Sequence, residues 1–109
     1  DEMLLINNFV HSNGKIAKWI FENSFLTQDE IKHLCEICNE TNADYAKTST
    51  GFGSHGARME DIKLMKSNLN EKVKIKASGG IKTRAETIEY IQVGVSRIGT
   101  SSGMKIISE

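Results

Sequence analysis

Two lysines, Lys47 and Lys76, carry the clearest chemical signal in this sequence. Each is placed at the last position of a short predicted strand and is followed at once by hydroxyl residues and glycine, in "KTSTG" and "KASGG". An amine attacks a carbonyl only when it is unprotonated, whereas free lysine has a pKa of about 10.4. Burial and a nearby second cation both lower that pKa. Two lysines at the ends of adjacent strands are therefore suited to Schiff-base chemistry, one as nucleophile and the other as its proton-transfer partner.

A solvated lysine stripe is the alternative to a catalytic pair. In "KVKIKA" (72–77), Lys72 and Lys74 share a strand face with Lys76, and lysines on strand faces usually point to water. The residues before Lys47, "ADYA", are mostly small or apolar, which favours a less exposed position for that lysine.

The loops after the strands are suited to binding phosphate. Glycine lets the backbone approach an anion closely, hydroxyl groups donate hydrogen bonds, and a following helix N-terminus adds positive potential. The segments "SGG" (78–80) and "TSSG" (100–103) both precede predicted helix starts. Ordinary β/α turns have the same composition. The occurrence of two such loops at one end of the fold favours a phosphate site over plain turns.

The elements around these loops alternate between strand and helix. Strands are predicted at 17–22, 43–47, 72–77 and 96–99, with helices after Thr27, over 57–69, from Thr83 to Gly94 and, as a last turn, within 101–108. This alternation predicts parallel β/α units. Three strands end alike, in "KTSTG", "KASGG" and "GTSSG", each with a serine two residues after the predicted strand end. In a parallel sheet the three loops share the carboxyl-terminal edge, where active sites collect.

Composition limits the class of protein. The chain has 109 residues, zero formal net charge and no proline, enough for one small domain. Balanced charge argues against nucleic acid as a partner, because there is no basic excess to neutralise phosphates. The longest apolar run is too short to span a membrane. Cys35 and Cys38 have redox or zinc spacing, but they continue the i, i+3, i+4, i+7 stripe of Ile31 and Leu34. We interpret them as buried core thiols of a cytoplasmic protein.

Three segments resemble the carboxyl-terminal half of deoxyribose-phosphate aldolases, class I aldolases built on a TIM (β/α)8 barrel. They are "ADYAKTSTGFGSHGA", "VKIKASGGIKT" and "SRIGTSSG", and "WIFENSFLTQDEI" resembles the fifth strand and following helix of that family. The resemblance implies cleavage of 2-deoxyribose 5-phosphate to glyceraldehyde 3-phosphate and acetaldehyde, with no metal or cofactor. It implies that Lys47 forms the Schiff base and that Lys76 is its proton-relay partner. The residues that it places around the substrate phosphate are Gly51, Gly79, Gly80, Ser101 and Ser102.

The amino-terminal segment departs from that family. "DEMLLINN" resembles the fourth barrel strand, with Leu4 where the family has a catalytic aspartate. Only ten residues (8–17) then lead to the next strand, whereas a parallel crossover with its helix needs about a dozen or more. Either the helix is deleted here or the first segment is not a barrel strand. We therefore treat residues 1–17 as an atypical segment of a single partial barrel domain spanning 1–109.

The length predicts an incomplete barrel, because such barrels need at least about 200 residues. Four strands with two open edges favour a homo-oligomer, a complementing amino-terminal half or a rearrangement of the strands into an open sheet. A phosphate-binding half-barrel without activity and an assembly module remain alternatives to an aldolase. Among the other side chains, His55 and Arg58 are candidates for ligand contact or for plain surface positions. Glu22, at a strand end, is a candidate for lining the mouth of the site.

Overall fold

Helices and strands alternate along the chain, as the sequence pattern predicts. The computed structural model describes residues 2–108. The helices are α1 (Glu2–Ser12), α2 (Gln28–Thr41), α3 (Met59–Asn68), α4 (Arg84–Val93) and α5 (Gly103–Ser108). The strands are β1 (Lys18–Ile20), β2 (Tyr45–Lys47), β3 (Lys74–Ser78) and β4 (Arg97–Gly99), and a single 3-10 turn (Asn23–Phe25) follows β1.

The four strands form one parallel sheet in chain order, β1-β2-β3-β4. Each strand is joined to the next by a helical crossover, the arrangement expected of successive β/α units. Within residues 2–108, β1 pairs only with β2 and β4 only with β3, so both edges of the sheet are unpaired. The fold is therefore an open α/β half-barrel, in agreement with the fold class predicted from the sequence.

One face of the sheet and the helices enclose the core. Ala46, Ile75 and Ala77 point from the strands into this layer and are buried. They meet helical residues such as Ile62 and Met65 of α3, both fully buried. Ile62 and Met65 are three residues apart and therefore lie on the same side of the helix.

Helix α2 begins and packs as its sequence predicts. The Thr27 hydroxyl accepts a hydrogen bond from Glu30 N at 3.2 Å, and the Glu30 carboxylate accepts one from Thr27 N at 2.9 Å, which completes a capping box. Cys35 and Cys38 are free thiols, both fully buried on the core side of this helix. Burial is the main cause that raises the pKa of each thiol to about 12. The interpretation of both as core residues is confirmed.

The amino-terminal segment is a helix, so its resemblance to the fourth barrel strand is wrong and the alternative that it is not a barrel strand is confirmed. Asn7 anchors α1: its amide nitrogen donates to Thr41 O at 2.9 Å and its amide oxygen accepts from Trp19 Nε1 at 2.7 Å. These bonds to α2 and β1 hold the segment against the helical layer. Leu4 lies on this helix and is 39% exposed. It does not replace a strand aspartate, and the short link to β1 needs no deleted helix.

The other face of the sheet carries no helix among residues 2–108. Side chains of Lys18, Ile20, Lys74 and Arg97 project from it and are exposed. In this part of the chain no helix is long and apolar enough to cross a membrane. We call this side of the sheet the open face, and it consists of the strand residues that alternate with the core residues. Lys47 and Lys76 both lie on it.

Candidate active site

Strand pairing places Lys47 and Lys76 side by side. The register of β2 and β3 pairs Tyr45 with Lys74 and Lys47 with Lys76, so both lysines point to the open face. Lys47 is the last residue of β2, as predicted. Lys76 is the third of the five residues of β3, so its placement at a strand end is wrong. It lies beside Lys47 because β3 continues through Ala77 and Ser78.

The third repeat is shifted by two residues from the position that its sequence suggests. Register pairs Lys76 with Arg97 and Ser78 with Gly99. Gly99 therefore lies level with the serine of "KASGG" and not with its lysine. The likeness of "GTSSG" to the other two loops is local, whereas the hydrogen bonds between β3 and β4 set the actual alignment. A cation, Arg97, occupies the row of the two lysines.

Cations alone provide the charge on the open face. The strand residues that face this side include five cations: Lys18, Lys47, Lys74, Lys76 and Arg97. None of the four strands contains an aspartate or glutamate. Burial, then the charge of Lys18, then those of Lys47 and Arg97 lower the pKa of Lys76. The neutral amine required for Schiff-base chemistry is thus more accessible at Lys76 than at a free lysine.

Arg97 is held over an aromatic ring. Its guanidinium carbon lies 4.2 Å from the centroid of the Tyr45 ring, a cation-π contact between β4 and β2 across β3. Tyr45 is buried although it faces the open side, since Arg97 covers it. This contact fixes one cation of the cluster in place beside the two lysines.

A cleft of about 360 Å³ opens at the carboxyl-terminal edge, beside Lys47. Its lining residues come from the last positions of β2, β3 and β4 and from the loops that follow them: Lys47, Thr50, Gly51, Ser78, Gly79, Gly80, Ile81, Lys82, Gly99, Thr100 and Ser101. Two lysines and no carboxylate line it, so it is suited electrostatically to an anion. The cleft brings together five of the predicted residues, including Lys47, Gly51 and Ser101.

Two predicted site residues do not line this cleft. Lys76 lies level with Lys47 on the neighbouring strand but is not among the lining residues. Ser102 is half-buried, and its backbone N–H donates to the Thr100 hydroxyl at 2.9 Å. Lys82 is a lining residue that the sequence analysis did not single out. Its position could have indicated this role, because it is a basic residue two positions after "GG" in a loop that the sequence predicts to bind phosphate.

Hydroxyl groups at the strand ends join neighbouring strands. Ser49 Oγ donates to Ser78 O at 2.8 Å, and Ser78 Oγ donates to Ser49 O at 2.6 Å. The Thr48 hydroxyl accepts from Ser78 N at 3.1 Å. All three residues are buried. The repeated serine therefore has a structural role in the first two loops, because its hydroxyl already bonds to the adjacent loop.

Gly79 is required by both conformation and space. Its φ of 89° lies in the left-handed region, and a Cβ added there would lie 2.8 Å from Gly56 Cα. Ala57 N donates to Gly79 O at 3.0 Å, which holds the two loops together. Gly80 also has a positive φ, 75°, but a Cβ there would meet nothing within 4 Å. The "GG" pair thus combines one packed glycine with one open to the cleft.

His55 and Arg58 lie outside the cleft. His55 is half-buried, with Nδ1 at 2.8 Å from Gly56 O. Arg58 precedes α3, with Nη1 at 3.9 Å from a Glu60 carboxylate oxygen. Glu22 reaches the rim, where its carboxylate contacts Thr50, but it does not line the cleft.

The sequence and the fold resemble those of known aldolases. No family model matches the chain. Over 96% of its length the chain is 50% identical to a deoxyribose-phosphate aldolase of Lactobacillus acidophilus, of which it covers 44%. A deoxyribose-phosphate aldolase of Treponema denticola is 44% identical over 99% of the chain, which covers 50% of that protein.

Solved structures give the same result. "QR15, an Aldolase" superposes on 86% of the chain with a TM-score of 0.80 and 45% identity, and 42% of that structure is covered. The tetrameric deoxyribose phosphate aldolase of Aeropyrum pernix superposes on 98% with a TM-score of 0.86 and 28% identity, and 46% of it is covered. The chain is homologous to deoxyribose-phosphate aldolases, as its sequence motifs predict, and spans about half the length of the relatives it matches.

Proposed function

We propose that this chain supplies the lysine-bearing half of a class I aldolase site that cleaves 2-deoxyribose 5-phosphate. The observation that supports the proposal best is the in-register pairing of Lys47 and Lys76 on the open face, with the pKa of Lys76 lowered. Lys47 also lines the cleft at the strand ends, whereas Lys76 does not. We therefore assign the nucleophile to Lys47 and the proton-transfer role to Lys76.

The first step joins Lys47 to the substrate aldehyde. Neutral Lys76 takes a proton from the Lys47 ammonium, and the freed amine of Lys47 attacks C1. The proton returns to the departing hydroxyl, water leaves, and a protonated imine remains. An amine whose pKa is lowered is a good acceptor for this proton, because it is neutral at a lower pH than a free lysine.

The second step breaks the C2–C3 bond. When the C3 hydroxyl loses its proton, the bonding electrons move to the iminium nitrogen, which leaves an enamine and releases glyceraldehyde 3-phosphate. Protonation of the enamine at C2 and hydrolysis of the resulting imine then release acetaldehyde and restore Lys47. Every electron in this sequence stays within substrate and lysine, so the proposal assigns no cofactor or metal.

The positively charged cleft is suited to the substrate phosphate. Gly51, Gly79, Gly80 and Ser101 line it, as the family resemblance implies, and Lys82 adds a second cation to that of Lys47. We assign the substrate phosphate to this cleft and Lys82 to its neutralisation. Ser102 has its backbone N–H bonded to Thr100 and is assigned to shaping the last loop.

The barrel requires a further segment to close it. Two copies of this chain would place five cations from each into one interior without a strand carboxylate to offset them. Like charges in a poorly solvated space repel strongly. Of the two partners predicted from the sequence, we therefore propose the complementing β/α half, with carboxylates on its inner face. Such carboxylates would also supply an acceptor for the C3 hydroxyl proton.

Reductive trapping tests the proposal. The chain is incubated with acetaldehyde, reduced with borohydride, and analysed by intact mass and peptide mapping. We expect an ethyl adduct at Lys47, none with Lys47→Met, and a rate lower on the order of 10²-fold with Lys76→Met. Lys32→Met, on the exposed side of α2, is the matched control. An adduct spread over surface lysines, unaffected by Lys47→Met, would refute the nucleophile.

Deoxyribose 5-phosphate separates the three functional classes. Adduct with turnover supports an aldolase that is active as this chain. Adduct without turnover supports a functional lysine pair that awaits its complementing half. Phosphate binding without any adduct would favour a phosphate-binding half-barrel. If neither an adduct nor phosphate binding is observed, the assembly module remains.

A further inference from the structure

Glu22 has a backbone conformation that a non-glycine residue rarely adopts. Its φ is 56° and its ψ is 64°, in the left-handed region. It lies between two fixed points, because Phe21 N donates to Lys47 O at 2.8 Å and Asn23 N donates to Thr48 O at 2.9 Å. The chain therefore turns sharply at Glu22, beside the residue that we assign as nucleophile. Strain of this kind persists only where surrounding contacts maintain it.

The Glu22 carboxylate provides those contacts. Both of its oxygens lie 3.2 Å from Thr50 N, and Oε2 also accepts a hydrogen bond from the Thr50 hydroxyl. The same hydroxyl accepts one from Phe52 N at 3.3 Å. A single side chain from the loop after β1 thus takes up both donors of Thr50, in the loop after β2.

The two loops also fit closely beside this contact. A Cβ added to Gly53 would lie 2.1 Å from Ser24 Oγ and 3.2 Å from Glu22 Oε1. Gly53 therefore lets the loop after β2 lie directly against the turn that follows Glu22. The carboxylate and this packing together fix the course of residues 50–53.

Thr50 and Gly51 form one wall of the cleft, whereas Glu22 lies behind that wall and does not line it. A carboxylate inside the cleft would repel an anion, but behind the wall it bonds to the loop without facing the ligand. Both donors of Thr50 are already used by Glu22, so they hold the wall and are not offered to an anion.

We propose that Glu22 is a positioning residue that fixes the wall formed by Thr50 and Gly51 so that the cleft accepts phosphate. The inference rests on the proposed function, since it concerns the same anion site. It goes beyond that function by placing the control of phosphate affinity in a residue outside the cleft. Without the carboxylate, Thr50 loses both of its partners and the wall loses its fixed position.

Two measurements test the role of Glu22 in the full chain. One is the affinity for inorganic phosphate by calorimetry, and the other is the exchange rate of the Thr50 amide proton by nuclear magnetic resonance. We expect Glu22→Ala to weaken phosphate binding by about tenfold or more and to speed Thr50 exchange. Glu22→Gln keeps one amide oxygen as acceptor and should recover part of both. Glu71→Ala, an exposed glutamate in the turn before β3, should leave both unchanged.

Thr50→Val breaks the contact from the other side. It removes the hydroxyl bond but keeps the backbone N–H, so we expect a loss of phosphate affinity between those of Glu22→Gln and Glu22→Ala. If circular dichroism shows that the Glu22→Ala variant does not fold, the Thr50→Val variant provides the test instead. Unchanged or tighter phosphate binding in a folded Glu22→Ala, or in Thr50→Val, overturns the inference.

The outcomes separate this inference from the proposed function. A wild-type chain that binds no phosphate and forms no adduct at Lys47 overturns both. A wild-type chain that does both, beside a Glu22→Ala variant with undiminished phosphate affinity, overturns the role of Glu22 alone.

Discussion

Lys47 and Lys76 are paired directly across β2 and β3, so their Cα atoms belong to neighbouring parallel strands about 4.8 Å apart. Their side chains share one face, and Lys18 and Arg97 add further positive charge around Lys76. The lowered pKa of Lys76 follows from burial and then from these neighbouring charges. The proposed proton transfer therefore depends on a sheet register that no single strand specifies.

The first prediction concerns the pH dependence of adduct formation. An amine is neutral above its pKa, so a lowered pKa at Lys76 permits proton transfer at a lower pH than free lysine would. Because Lys18 lowers that pKa more than the other neighbouring charges do, Lys18→Met should raise it and shift the pH profile of the acetaldehyde adduct upward. Trapping rates measured as a function of pH provide the check.

Lys74→Met is the matched control, because the lowering comes from burial and from the charges of Lys18, Lys47 and Arg97. Lys74 is also exposed and faces the same side. Equal shifts of the pH profile in the Lys18 and Lys74 variants would show a general effect of the charge on the open face. They would contradict a specific role for Lys18.

The second prediction concerns glycine in the cleft. Gly79→Ala combines the cost of a left-handed alanine, about 1–2 kcal/mol, with a clash against Gly56. Gly80→Ala carries only the conformational cost, and Gly103→Ala meets open space at an ordinary φ. Free energies of unfolding in urea should rank the losses in that order. A Gly79 variant no less stable than the Gly103 variant would refute the packing between the loops.

The third prediction concerns Asp44 and acid. Burial raises the pKa of Asp44, but hydrogen bonds from Ala17 N at 2.7 Å and from His11, together with the His11 charge, outweigh it and lower the pKa. The bonds thus stabilise the fold at neutral pH, and that stabilisation is lost as pH falls from the ordinary value of about 3.9 through the lowered one. Asp44→Asn should lose about 0.5–1.5 kcal/mol at pH 7.

The test compares urea unfolding of the wild-type chain and Asp44→Asn at neutral and acid pH. The difference between them should shrink in acid, because the wild-type carboxylate is then protonated as well. Solvent screens this half-exposed site, so the lower end of the range is expected at high salt. A difference that grows in acid would contradict the assigned role.

The fourth prediction concerns the two buried thiols. With a pKa of about 12 and full burial, Cys35 and Cys38 carry almost no thiolate at neutral pH and face no solvent. Alkylation by iodoacetamide should therefore be slow in buffer and rapid in denaturing urea, as followed by intact mass. Rapid native labelling of either thiol would show that α2 does not pack on the core as described.

The fifth prediction concerns assembly. Because cations alone provide the charge on the open face, the chain should self-associate weakly at low salt. Replacing Lys18 and Lys74 with Met should increase self-association, as measured by analytical ultracentrifugation. The part of the Lactobacillus acidophilus aldolase that this chain does not match should form a one-to-one complex with it. Tight homodimers of the wild-type chain at low salt would contradict the proposed partner.

Local pattern determined where helices α2 and α4 begin and how α4 ends. The capping pair of Thr27 and Glu30 and the Thr83 cap of α4, whose hydroxyl accepts from Glu86 N, involve residues three apart. Gly94, with a φ of 117°, ends α4 as predicted. Burial of the α2 cysteines follows from helical periodicity alone. Interactions over one helical turn need no knowledge of the remaining chain.

The tertiary structure determined the contacts that join separate elements. Only the bonds of Asn7 to Thr41 and Trp19 explain how the first segment packs as a helix. Only the pairing of β3 with β4 shows that Arg97 is level with the lysines. The hydrogen bond between Glu22 and Thr50 joins residues that are 28 positions apart, and no local pattern predicts it. The sequence thus identified the two candidate lysines, whereas long-range contacts set their neighbours and the shape of the cleft.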